Sequence, residues 1–123
     1  MILHYSSILP EKFILNKVVV WIDLNGGTLS KRFICNENLQ CIYLEGGTLP
    51  EKFVCNENLI SIQLGGGTLP EKFVCNKNLL WIDLGEGGTL PEKFICNENL
   101  QHIYLGGGTL PEKFVCNKNL QGI

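Results

Sequence analysis

The chain has 123 residues, of which 45% are hydrophobic and 18% charged, and its formal net charge is −2. This composition is typical of one folded domain and unlike that of disordered or membrane-embedded chains. The slightly negative charge and the lack of a Lys/Arg cluster argue against a nucleic-acid partner, and no apolar run approaches the roughly 18 residues of a membrane span.

The first segment, "MILHYSSILPEK", lacks the cationic start and long apolar stretch of a secretory signal, so we expect an intracellular, cytoplasmic protein. From this segment onward the sequence repeats itself in steps of 20 residues, with one residue inserted in "GEGG". The step is marked by leucines at Leu9, Leu29, Leu49, Leu69, Leu90 and Leu110. A fixed period of this length predicts a solenoid of stacked units.

We divide the chain into repeats within a single solenoid domain, residues 1–123. A partial repeat at 1–18 is followed by repeats at 19–38, 39–58, 59–78, 79–99 and 100–119, and by a partial repeat at 120–123. Ile2 is expected to align with Ile22, and Ile123 with Ile103, which places both chain ends inside strands without a polar cap. Solenoids usually protect such edges, so frayed ends, a longer parent array and copies that add end to end are open alternatives.

Each repeat begins with a strand, as in "LQCIYL" at residues 39–44. Ile42 and Leu44 lie on one face by the period of two, and Tyr43 points to the other face. "GGT" and a proline then predict a turn, because glycine tolerates positive φ and proline needs no backbone donor. "EKFVCN" returns Phe53 and Cys55 to the core. Stacked copies predict a parallel sheet joined by extended or turn segments.

The frame L-x-x-I-x-L-x-x-x-x-L, as in "LISIQLGGGTL" at residues 59–69, resembles a leucine-rich repeat. Its 20-residue length and "LP" are similar to bacterial and phage varieties, and "FVCNENLISIQL" at 53–64 resembles BspA-like repeats. The resemblance covers nearly the whole chain. It implies a curved solenoid with a parallel β-sheet on the concave side, extended or short 3-10 segments on the convex side, and little or no α-helix. Such families mostly serve as binding surfaces or adhesins.

Variation among the repeats concentrates at two outward strand positions, which form two columns when the repeats are aligned. The first column holds Trp21, Cys41, Ser61, Trp81 and His102, and the second holds Asp23, Tyr43, Gln63, Asp83 and Tyr104. Large aromatic residues dominate interface energies, so Trp21, Asp23, Tyr43, Gln63, Trp81, Asp83, His102 and Tyr104 are predicted to bind a partner. The alternative is that cross-strand aromatic pairs only stabilise an exposed sheet.

A further column of the repeats consists of cysteines: Cys35, Cys55, Cys75, Cys96 and Cys116, with Cys41 outside it. Adjacent turns bring these residues within disulfide reach, but side chains that point the same way are poorly aimed for pairing. We therefore predict buried, reduced thiols, which favours a reducing compartment. Neither C-x-x-C nor a histidine in register occurs, so no metal site is expected.

The remaining repeated positions are predicted to be structural. Two asparagine columns, at Asn36/Asn56/Asn76/Asn97/Asn117 and Asn38/Asn58/Asn78/Asn99/Asn119, can bond to each other and to turn backbones. The glycine loops match neither a phosphate loop nor a calcium repeat, and we predict turns. Outward Glu–Lys pairs, at residues 51–52, 71–72, 92–93 and 112–113, are expected to aid solubility.

No serine, cysteine, histidine or carboxylate constellation is suited to catalysis, so we predict neither an enzyme nor a cofactor. The sequence favours a protein–protein interaction module that presents a concave β-sheet surface. A self-associating structural or scaffold element is the main alternative. A surface adhesin is a third, disfavoured by the missing signal and the unpaired cysteine column.

Overall fold

The structure, a computed structural model, describes residues 2–5, 20–24, 29, 37–46, 48–51, 53–54, 56–74, 76–112, 114 and 116–122. Six short strands form one parallel sheet in which sequence order and spatial order are the same. The strands are β1 (Ile2–Tyr5), β2 (Trp21–Leu24), β3 (Cys41–Leu44), β4 (Ser61–Gln63), β5 (Trp81–Asp83) and β6 (His102–Tyr104). The described residues include no helix. The predicted solenoid with a parallel sheet is confirmed.

The strands are paired in the register that the 20-residue step predicts, with one exception at β1. Ile42 pairs with Ile62, and the inserted residue lengthens the step from β5 to β6 so that Ile82 pairs with Ile103. In β1, Leu3 pairs with Ile22 and Ile2 pairs with Trp21, so the predicted alignment of Ile2 with Ile22 is wrong. The step from β1 to β2 is therefore one residue shorter than the usual 20. Ile123 lies outside the described residues.

The core lies behind the sheet and is filled by the same positions in successive turns, except near the last repeat, where Leu110 is 37% exposed and Phe114 is half-buried. In the third turn, Leu59, Ile62 and Leu64 are fully buried, and Leu69 and Phe73 are exposed by only 6% each. No polar side chain in the described part of the chain is buried. Each large side chain contributes about 1.5–3 kcal/mol on burial, against about 1–2 kcal/mol of ordering cost per residue, so a turn depends on its neighbours.

The return segments stack their phenylalanines into a continuous column. The rings of Phe53 and Phe73 have centroids 6.5 Å apart with planes 11° from parallel, and Phe73 and Phe94 repeat this arrangement at 6.4 Å and 7°. Phe114 packs against the same core. The prediction that this position points inward is confirmed for Phe53, Phe73 and Phe94.

The first asparagine column joins each turn to the one before it. The Nδ2 of Asn76 donates to the carbonyl oxygens of Asn56 at 2.6 Å and Leu59 at 3.1 Å, and its Oδ1 accepts from the backbone N–H of Asn78 at 2.6 Å. Asn97 repeats this pattern. The structural role predicted for this column is confirmed, except that Asn36 lies outside the described residues.

The glycine loops are turns that require glycine, as predicted. In the loop after β4, Gly65 and Gly66 have φ of 53° and 102°, which only glycine adopts readily. The loop after β5 contains the inserted residue, and its second glycine with a positive φ is Gly87, at 71°. The backbone N–H of Gly88 then donates to Leu105 O at 3.0 Å. The insertion is therefore absorbed in one loop without disturbing the sheet register.

Among the described residues, no helix is long and apolar enough to cross a membrane. The outward Glu–Lys pairs are exposed where the structure describes them, as at Glu71 and Lys72. Lys52 and Lys113 lie outside the described residues.

Candidate functional site

The predicted partner-binding residues lie side by side on the solvent face of the sheet. Strand pairing places Trp21, Cys41, Ser61, Trp81 and His102 in one row and Asp23, Tyr43, Gln63, Asp83 and Tyr104 in the next. Trp21, Trp81 and Tyr104 are 40%, 41% and 48% exposed. We call these two rows the sheet face.

Within the first row of the sheet face, the two tryptophans are separated by small side chains. Trp81 packs against His102 with ring centroids 4.3 Å apart and planes tilted by 35°, and Tyr104 lies on the same strand as His102. Trp21 is three strands away from Trp81, a distance of about 14 Å at the usual strand spacing. Between them stand the small side chains of Cys41 and Ser61, and we call this low part of the first row the depression.

Hydrogen bonds fix several polar side chains of the sheet face. The Oδ1 of Asp83 accepts from the backbone N–H of Gly85 at 2.8 Å, which joins the carboxylate to the turn after β5. The Nε2 of Gln63 donates to Ser61 Oγ at 3.4 Å. Tyr43, in the second row, is half-buried. The polar part of the face is thus partly preorganised.

Cys41 lies in the depression and is only 8% exposed. Burial raises the pKa of its thiol, the hydrogen bond with Ser61 opposes this effect, and the negative charge of Asp23 adds to it. The protonated thiol behaves as a small apolar group there. Cys41 is a free cysteine, as predicted.

The prediction of reduced thiols in the cysteine column is wrong for Cys96 and Cys116, the two members that the structure describes. Cys96 and Cys116 form a disulfide across adjacent turns, with a Cα–Cα distance of 5.3 Å. Stacking alone brings the backbones within the 4.4–6.8 Å range that a disulfide needs, and rotation of the side chains does the rest. Cys35, Cys55 and Cys75 lie outside the described residues. The disulfide removes the basis for inferring a reducing compartment.

Sequence reasoning missed a groove beside the sheet face, at the start of the strands. It has a volume of about 470 Å³ and lies between the second asparagine column and the residues that immediately precede each strand. The latter are Gln40, Ile60, Leu80, Gln101 and Gln121. The signal was present in the sequence, because this position varies among the repeats as the two chosen columns do. We call this feature the amide groove.

A second missed feature is a row of exposed aliphatic side chains on the return segments. Val54, Val74 and Ile95 are 78%, 76% and 78% exposed. Each follows a buried phenylalanine, and the alternation along an extended segment turns it outward. We call this row the aliphatic row.

A metal centre does not emerge from the described residues, where no three His, Cys, Asp or Glu side chains are grouped so that they could hold an ion.

No protein-family model matches this chain, and neither a curated protein nor a solved structure is significantly similar to it.

Proposed function

We propose that this chain is a non-catalytic protein-binding module of the leucine-rich-repeat type, with the sheet face as its contact surface. The observation that carries the proposal is the exposure of Trp21, Trp81 and Tyr104 on one face. Large aromatics supply much of the binding energy of protein interfaces, and they are costly to leave in water. Their grouping on the strands supports a contact surface over scattered exposure.

The shape of the sheet face defines what the partner should offer. An apolar protrusion would fill the depression above Cys41 and Ser61 while Trp21 and Trp81 pack on either side of it. Asp23 and Asp83 stand in the adjoining row, so basic side chains on the partner would be attracted to them. The partner surface we expect is therefore apolar at its centre and basic at its rim.

A photo-crosslinking residue in place of Trp81 tests the proposal. The control places the same residue at Glu71, which is also exposed but lies on the return segment and outside the aliphatic row. We expect a discrete adduct from position 81 and none from position 71. Each protein identified in this way is then purified and titrated against the wild-type chain.

The binding measurement must be separated from folding. The double variant Trp81→Ala/Tyr104→Ala should weaken binding of the purified partner at least about thirtyfold, because loss of even one hot-spot aromatic costs about 2 kcal/mol or more. Its circular dichroism and urea midpoint should stay close to those of the wild type. Loss of folding together with binding would instead support a purely structural role for the cross-strand aromatics.

Self-association is a second candidate, and the aliphatic row favours it. Three β-branched side chains in a line give each copy a surface that an identical row can match. Light-scattering mass across a concentration series checks this candidate, with Val74→Lys/Ile95→Lys as the variant. Growth of mass in the wild type and not in the variant would support assembly through this row, whereas a constant mass of one chain would refute it.

A further inference from the structure

The amide groove has a chemical character that differs from that of the sheet face. Seven of its lining side chains are amides, and Ile60 and Leu80 provide an apolar patch among them. Glu57 is the one charged residue among the described residues that line it. This lining repels anions and offers little to pair with other charges, so it suits a neutral ligand that is rich in hydrogen-bonding groups.

The asparagine side chains of the groove are held in one orientation. The Nδ2 groups of Asn78, Asn99 and Asn119 donate to main-chain carbonyl oxygens of the preceding turn at 2.6, 2.7 and 2.9 Å. Each Oδ1 then points away from that bond, since the two atoms lie on opposite sides of the amide carbon. Within the described part of the chain, no donor reaches these Oδ1 atoms. They form a row of fixed acceptors, repeated once per turn at about 4.8 Å.

The residues that precede the strands supply adaptable groups to the lining of the groove. The amides of Gln40, Gln101 and Gln121 make no hydrogen bond with other described residues, so each offers two donors and an acceptor to a ligand. Ile60 is 39% exposed and Leu80 is half-buried. Fixed acceptors, adaptable donors and an aliphatic patch therefore line the same groove.

We propose that the amide groove binds a neutral oligosaccharide. Sugar hydroxyls both donate and accept, which suits a lining that combines asparagine oxygens with glutamine amides. The C–H face of a sugar ring can pack on Ile60 and Leu80. A volume of about 470 Å³ lies within the usual range for ligand sites. This site is distinct from the sheet face and needs no protein partner.

Other ligand classes fit the groove less well. The N–H groups on one edge of an extended peptide recur every two residues, about 6.6 Å, so they fall out of step with acceptors spaced by about 4.8 Å. A phosphate or nucleic acid would find a row of carbonyl oxygens and no Lys or Arg among the lining residues. Sugar hydroxyls are more numerous per unit length and avoid both conflicts.

The test is an NMR titration of the ¹⁵N-labelled protein. Cellohexaose, maltohexaose and mannohexaose serve as neutral probes, and hexaglycine and inorganic phosphate are the comparison ligands. We expect at least one hexasaccharide to shift the side-chain amide signals of Asn78 and Asn99 saturably, with little effect of hexaglycine or phosphate. No saturable shift with any hexasaccharide at millimolar concentration would overturn the proposal, as would stronger binding of hexaglycine.

Variants locate the site and separate it from the sheet face. Gln101→Leu/Gln121→Leu should weaken the hexasaccharide at least about tenfold, because two neutral hydrogen bonds are lost. These amides make no internal bond among the described residues, so folding should be unaffected. The matched control, Gln63→Leu, makes the same chemical change on the sheet face and should keep full affinity, as should Trp81→Ala/Tyr104→Ala. Unchanged affinity in Gln101→Leu/Gln121→Leu would refute the assignment to this groove.

Discussion

The side-chain Nδ2 of Asn97 donates a 2.5 Å hydrogen bond to the main-chain oxygen of Asn76, one turn earlier in the solenoid. Asn76 makes the same bond to Asn56 at 2.6 Å. Each described turn is thus joined to its predecessor by a side chain in addition to the sheet. The amide suits this position because one group donates backwards while the other accepts from its own turn.

Replacing Asn97 with alanine should therefore destabilise the fold strongly. The change removes two donated bonds and one accepted bond, and we expect the free energy of unfolding to fall by about 2–4 kcal/mol. Urea denaturation followed by circular dichroism measures it. Glu98→Ala, at the exposed neighbour, should change stability by less than about 0.5 kcal/mol. A similar loss in the two variants would contradict the role assigned to this column.

The stacked phenylalanines give a second prediction on stability. Phe73 is 6% exposed and lies between Phe53 and Phe94, so Phe73→Ala should cost about 3–5 kcal/mol through lost burial and a cavity. Val74→Ala changes the next residue, which is 76% exposed, and should cost less than about 0.5 kcal/mol. Thermal unfolding of both variants checks the contrast. An equal loss would mean that the return segment is oriented differently.

Two adjacent glycines should respond differently to substitution by alanine. A Cβ on Gly108 would lie 1.9 Å from the Gly88 carbonyl oxygen, so Gly108→Ala must displace one turn from the next. Gly107 has open space around it but a φ of 85°, so Gly107→Ala should cost only the left-handed backbone strain of about 1–2 kcal/mol. We expect a clearly larger loss for Gly108→Ala in urea denaturation. The reverse order would show that the turns are not packed so closely.

The Cys96–Cys116 disulfide should stabilise the last described turns. A bond with a sequence separation of 20 contributes about 3 kcal/mol in the chain-entropy model. A reductant should therefore lower the free energy of unfolding by about that amount, and it should have less effect on Cys116→Ser. Titration of the unfolded, non-reduced chain should find at most four free thiols among the six cysteines, because two are joined. Six free thiols would refute the disulfide.

Cys41 should make stability depend on pH in the alkaline range. Burial raises the pKa of its thiol above the ordinary value of 9.0, so the folded chain keeps this proton to a higher pH than the unfolded chain does. The stabilising effect is fully present below the unfolded pKa and is lost as pH rises through the folded one. Urea unfolding at several pH values should show this decline in the wild type and a weaker decline in Cys41→Ala. Parallel curves would contradict it.

Much of the fold was predictable because the alternation within each strand and the spacing between repeats indicate the same arrangement. The step of 20 residues identified the strands, and the alternation around Ile42 and Leu44 identified the buried face. The two columns that contain Trp81 and Tyr104 were placed on the solvent face for the same reason. The resemblance to leucine-rich repeats added an expectation of function, which stays a prediction.

The candidate sites were less predictable, because they depend on distances between turns. The sequence shows an aliphatic residue at Val74 and a variable position at Leu80. Whether these residues form a surface row or line a groove depends on which residues lie next to them in adjacent turns. The pairing of β1 with β2 is shifted by one residue from the predicted register, because the first step is shorter, and the leucine spacing alone did not reveal this.

The sequence by itself determined that this protein is a stack of parallel strands with Leu, Ile and Phe inside, because a period that recurs so often fixes the burial of each position. Only the tertiary structure decided that Cys96 reaches Cys116, that the rings of Trp81 and His102 are in contact, and that the Asn78 and Asn99 amides line a groove. These are relationships across turns, set by the spacing and rotation of one turn against the next, and the sequence of a single repeat does not contain them.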